Sequence, residues 1–107
     1  MSADGPLGAF EEQVMLAVLH AREEAYGMNV RREIESRAGR EVAIGAVYAT
    51  LDRLEAKGLV SSSRFDVGGL SRRVFRVTAV GRRMLVETRE VRERLWRGVE
   101  RVLLEGR

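Results

Sequence analysis

Two β-prone stretches, Leu59–Val67 and Leu70–Thr78, flank the pair Gly68-Gly69 and lie between segments of helical period. A two-residue type I′ turn needs positive φ at both central positions, which glycine adopts without steric penalty. Gly68-Gly69 therefore predicts a β-hairpin, and as a two-residue turn it sets the pairing below; a register shifted by one residue, which would exchange the two faces, is the alternative. Val60 faces Val77, Ser62 faces Phe75 and Arg64 faces Arg73 on one side, while Phe65 faces Arg72 on the other, which Arg76 shares. Like charges directly opposite one another are destabilising. The Arg64–Arg73 pair at the outer end of the hairpin thus calls for an anion, the alternative being a solvated, charge-rich edge that resists aggregation.

Around the hairpin the apolar residues recur at helical spacing. Leu7–Arg22 reads as a first helix with Phe10, Val14, Ala17 and Val18 on one stripe, widened by Met15 and Leu19. Ala25-Tyr26-Gly27 interrupts it. A second helix is expected over Met28–Ala38, with Val30 and Ile34 inward and Gly39 at its C-cap. A third is expected over Ile44–Lys57, with Val47, Leu51 and Leu54 inward and Gly58 ending it. After Thr78, a plausible N-cap, residues 79–104 read as one long helix of about 39 Å. The fold class is mostly α with a small β-hairpin: a winged helix-turn-helix over residues 1–78 and a long C-terminal dimerisation helix over 79–107, built as one unit.

Charge is unevenly placed. Residues 1–58 carry seven Lys+Arg against ten Asp+Glu, and residues 59–107 carry twelve against six. Of the 19 cations only Lys57 is not arginine, and arginine suits planar contacts with phosphates. The chain has no cysteine and one histidine, His20. Disulfides, thiolate metal sites and multi-histidine active sites are excluded, and the chain calls for no metal, no cofactor and no enzymatic activity. A cytoplasmic protein is expected, since no apolar run reaches membrane-spanning length and the first residues lack the pattern of a secretory signal.

In a helix-turn-helix the second helix of the pair enters the major groove. Here that is Ile44–Lys57, whose outward residues are expected to be Gly45, Ala46, Tyr48, Ala49, Thr50, Asp52 and Arg53. Gly45, Ala46 and Ala49 are small and let a helix backbone approach DNA closely. Tyr48 and Thr50 offer hydrogen-bonding groups to bases or phosphates. Arg53 and Lys57 further along the helix, with Arg64, Arg72 and Arg73 on the wing, suit phosphates. The alternative is a winged helix that docks on a partner protein without specific DNA binding. The arginine cluster and the small-residue face are what a protein partner does not require.

On the last helix Met84, Thr88, Val91, Leu95, Val99 and Val102 recur at nearly heptad spacing. Met84, Val91, Leu95, Val99 and Val102 are therefore expected to form a homodimer seam. Trp96, on its flank, is either packing at that seam or one wall of a pocket for a flat aromatic effector.

The block from Gly45 to Val60, with Tyr48, Leu51, Arg53, Leu54, Glu55 and Gly58 in place together, resembles the recognition-helix motif of PadR-like transcriptional regulators. Tyr26-Gly27 matches that family's Tyr-Gly, and Ser71–Arg82 resembles its second wing strand, with Phe75 where tyrosine is common. The resemblance spans about residues 7–85. It implies a dimeric winged-helix repressor on a palindromic site, released by a small, often aromatic, inducer. The single C-terminal helix resembles the short-form members, so any effector pocket is expected at the dimer interface.

Overall fold

The computed structural model describes residues 6–106. Three helices come first: α1 (Ala9–Ala21), α2 (Gly27–Ala38) and α3 (Ile44–Ala56). The hairpin β1 (Val60–Val67) and β2 (Leu70–Val77) follows, then α4 (Ala79–Trp96) and α5 (Val99–Leu104). A single 3-10 turn, Arg22–Glu24, separates α1 from the loop before α2. This is the helix, helix, helix, hairpin, helix order expected of a winged helix.

The helices meet on one core. Val14 and Met15 of α1, Val30 of α2, Val47, Leu51 and Leu54 of α3, Val60 of β1 and Phe75 of β2 are all fully buried. Each such side chain contributes about 1.5–3 kcal/mol by leaving water. Phe75 carries no hydroxyl into that core and needs no partner for one.

The hairpin has the expected register along its whole length, from Val60↔Val77 to Val67↔Leu70, with Arg64↔Arg73 and Phe65↔Arg72 between. Gly68 and Gly69 have φ of 59° and 82°, the conformation a type I′ turn demands. The wing is tied to the loop before α2 at two adjacent points on β2. The Phe75 N–H donates to the Ala25 carbonyl at 2.9 Å, and Tyr26 forms a β-bridge with Val74.

The exit from α3 is a Schellman motif. The Leu59 N–H donates to the Leu54 carbonyl and the Gly58 N–H to that of Glu55, with Gly58 at φ 77°. Thr78 then caps α4: its Oγ1 accepts from the Gly81 N–H at 3.0 Å and donates to the Gly58 carbonyl at 2.7 Å. Gly81 packs so closely that a Cβ there would collide with the Leu59 carbonyl oxygen. One threonine and two glycines thus set the angle between α3, the wing and α4.

The single long C-terminal helix is corrected. α4 ends at Trp96, Arg97 is extended (ψ 120°), and Gly98 is left-handed (φ 85°) before the short α5 begins. Glycine adopts that conformation readily and costs helix stability in an interior. Met84, expected in the dimer seam, is instead 7% exposed in the chain's own core. Val91 and Val99 are half-buried, while Leu95 is 73% exposed and Val102 also faces solvent. α4 is held to α1 by Arg92 Nη1 to Glu12 Oε1 at 2.5 Å, and to the residues just before α1 by the Leu7 N–H donating to Thr88 Oγ1 at 2.9 Å. No described helix is long and apolar enough to cross a membrane.

Candidate nucleic-acid interface

α3 presents Gly45, Ala46, Tyr48, Ala49, Asp52 and Arg53 to solvent, as expected. Gly45 has open space where a side chain would be. Thr50 is the exception. It is 2% exposed, and its Oγ1 accepts from Arg53 Nη2 at 3.2 Å. Positions 47, 50, 51 and 54 are i, i+3, i+4 and i+7 of one helical stripe. Thr50 falls inside that stripe, so it cannot reach a base without unpacking α3.

Tyr48 is held by its neighbour in space, Gly27. Any Cβ at position 27 would collide with the tyrosine ring. The glycine of Tyr26-Gly27 is therefore needed for the seat it leaves the Tyr48 ring, at the very start of α2. Tyr26, the N-cap residue of α2, takes the Arg72 guanidinium over its own ring at 4.2 Å. Tyr26 was given no site role by sequence reasoning. Its partner lies 46 residues away on β2, which local spacing does not reveal.

The anion called for by the Arg64–Arg73 pair is supplied from within the protein. Arg73 Nη2 lies 2.6 Å from Glu55 Oε1, Nη1 lies 3.0 Å from Asp52 Oδ1, and Nε donates to Ser62 Oγ at 3.2 Å. Its guanidinium also stacks on Phe75 at 4.6 Å. Arg73 therefore clasps the wing to α3 instead of standing free for a phosphate. The Ser62 hydroxyl, then Arg73, hold the Glu55 carboxyl below the ordinary range. Burial works against the charge of Arg73, but Glu55 and Asp52 outweigh it and hold the guanidinium firmly protonated.

The other cations divide. Lys57 Nζ is 3.0 Å from Glu11 Oε2 on α1, so its ammonium is already engaged. Arg53 is exposed at the end of the α3 face. Arg64 is exposed and has no carboxylate partner among the described residues. Arg72 has its Nε buried with no hydrogen-bond partner among them. Trp96 is 49% exposed at the end of α4, beside the Gly98 break. The fold thus brings α3's small-residue face, Tyr48, Arg64 and Arg72 together, and leaves Trp96 and the exposed α4 residues at the other end of the chain.

Residues 15–87 match the model of the "Transcriptional regulator PadR-like family". Transcriptional regulator Rv3488 of Mycobacterium tuberculosis is 44% identical over 88 residues, which are 80% of this chain and 81% of that protein. A PadR family transcriptional regulator from Eggerthella lenta superposes with a TM-score of 0.67 at 31% identity, over 84% of this chain and 80% of its own. A PadR-like regulator from Bacillus cereus shares the fold with a TM-score of 0.76 at 21% identity, over 90% of this chain and 92% of its own. Its members regulate transcription and are not enzymes, and this chain belongs to the PadR-like family of transcriptional regulators.

Proposed function

We propose that the protein is a repressor that binds a palindromic operator as a homodimer and is released by a small aromatic effector. The carrying observation is the joint exposure of Gly45, Ala46 and Ala49 beside Tyr48, with the uncompensated cations Arg64 and Arg72 on the adjacent wing. Small residues let the α3 backbone approach base edges, Tyr48 offers its hydroxyl to a base or a phosphate, and Arg53, Arg64 and Arg72 take phosphates. Arg73 supports the wing, and Lys57 reaches a phosphate only by leaving Glu11. Thr50 is left out of the base-reading set.

The dimer reading rests on the apolar side chains that one chain leaves in water: Leu95, Trp96, Val102 and Leu103 on α4 and α5. With Met84 withdrawn, the seam is Val91, Leu95, Val99 and Val102, with the break at Gly98 between its halves. Two chains related by a two-fold axis would present two α3 helices to inverted half-sites. An aromatic effector would stack on Trp96 where the two copies meet.

The test is fluorescence anisotropy with a duplex carrying the protein's own upstream region and a scrambled duplex, at two salt concentrations. Selective, salt-sensitive binding is expected. Equally weak binding to both duplexes refutes specific recognition at that site, and no binding at low salt refutes the DNA reading in favour of a protein-docking winged helix. Sedimentation of Leu95→Glu beside the parent tests the dimer: the variant is expected to be monomeric, and an unaltered dimer removes the seam.

A further inference from the structure

We infer that a single phosphate group is seated in a pocket between α3 and the wing, held jointly by Arg72, Arg64, Ser71 and Tyr48. This deepens the DNA reading and rests on it for its natural ligand, a backbone phosphodiester. The pocket is a cleft of about 350 Å³ lined by Tyr26, Tyr48, Arg64, Ser71, Arg72 and Arg73. Among the described residues no carboxylate lines it. The two acidic groups nearest in the network, Glu55 and Asp52, are both engaged by Arg73.

Three features make this a place for an oxyanion and not a solvated surface. The Arg72 side chain is fixed by its stacking on the Tyr26 ring, so little freedom remains to be lost when an anion arrives. Its Nε–H is buried without a partner, and buried donors in native proteins are ordinarily satisfied. Arg64 starts from the opposite face of the hairpin to Arg72, yet both line this cleft, and nothing among the described residues neutralises Arg64. Two guanidinium groups, which only donate, beside a serine and a phenol hydroxyl, which can donate, suit an acceptor-rich group. A tetrahedral phosphate oxyanion has the acceptors to take them together. The pocket's place between α3 and the hairpin is where a DNA strand passing from groove to wing would set one phosphate.

Two guanidinium groups on one phosphate make a measurable statement. The salt slope of DNA binding falls by about 0.9 per phosphate no longer neutralised. Arg64→Ala and Arg72→Ala singly each leave the shared phosphate one partner, so each lowers the slope by less than half that amount. The double variant lowers it by about 0.9. Falls of about 0.9 for each single and about 1.8 for the double mean two separate phosphates and overturn the shared pocket.

A second readout does not depend on a DNA sequence. The Arg72 Nε–H cross-peak of the full chain, assigned by its loss in Arg72→Lys, is followed by NMR. It is expected to move with the upstream duplex, and not with sodium chloride at matched ionic strength. Movement with inorganic phosphate as well assigns the pocket to the phosphate group in general, and movement with duplex alone assigns it to the phosphodiester. If phosphate moves the peak while no duplex binds, the pocket stands as a free-phosphate site and the DNA reading falls. If the duplex binds and the peak stays still, the pocket is refuted and the DNA reading survives.

Discussion

Arg73→Ala separates a residue that shapes the interface from one that touches DNA. The side chain is 34% exposed and holds Glu55 at 2.6 Å, Asp52 at 3.0 Å and Ser62 at 3.2 Å. Hydrogen bonds to charged groups contribute about 1.5–3 kcal/mol when shielded, and exposed ion pairs about 0–1 kcal/mol. A guanidinium one-third exposed falls between these, so the substitution is expected to cost about 1–2 kcal/mol. For a chain of this size that lowers Tm by roughly 4–8 °C. Calorimetry checks the stability, and anisotropy across a salt series checks the DNA. Because Asp52 and Glu55 already neutralise Arg73, its loss is expected to weaken DNA binding with no change in the salt slope, by loosening the angle between α3 and the wing. A double-mutant cycle with Glu55→Gln should show coupling of at least about 0.5 kcal/mol. An unchanged Tm together with a slope lowered by about 0.9 would refute the clasp and make Arg73 a phosphate ligand.

Other expected outcomes follow from neighbouring features. Gly27→Ala forces a methyl group into the Tyr48 ring; overpacking of this kind costs about 1–3 kcal/mol, and DNA affinity should drop with Tm, so unchanged values for both would remove the seat. Gly45→Ala meets nothing and should stabilise α3 by about 0.5 kcal/mol, yet weaken DNA binding by crowding the groove; tighter binding would show that the backbone does not approach DNA there. Acid should unfold the protein through carboxylates whose values are held below the ordinary 4.5: Glu35 by the Val42 N–H then Arg31, Glu55 by Ser62 then Arg73, and Glu11, against the opposing effect of burial, by Gly8 and Lys57. A depressed carboxyl gives stability that is fully present above the unfolded value and lost as pH falls through the folded one. Tm should therefore hold down to about pH 5 and decline below it, and a decline that begins near pH 7 would refute this account.

Which parts of this molecule could be read from sequence follows from the range of the forces involved. The hairpin was legible because Gly68-Gly69 is a local backbone requirement, while its register, open by one residue in the sequence, is set by the two-residue turn that the structure shows. Val47, Leu51 and Leu54 were legible because burial imposes a period. Thr50 departs from the outward reading because its place in that period outweighs its hydroxyl, which Arg53 satisfies inside the stripe. The continuous C-terminal helix fails for the opposite reason: the apolar repeat carries on through Gly98, while the backbone there does not.

The wing arginines show a limit of another kind. Two facing guanidinium groups favour an anion between them, but their place in the sequence does not say whose. The answer lay 18 residues away from Arg73 in chain order, at Glu55, and 21 away, at Asp52, both on the outer turns of α3. Those carboxylates also decide which arginines remain for DNA. By engaging Arg73 they leave Arg64 and Arg72 as the wing's uncompensated charge beside Tyr48. Acidic residues on a DNA-reading helix would ordinarily repel phosphates. Here their charge is spent on the clasp, so α3 keeps Asp52 and Glu55 at its surface and still presents an interface that can accept a negatively charged strand.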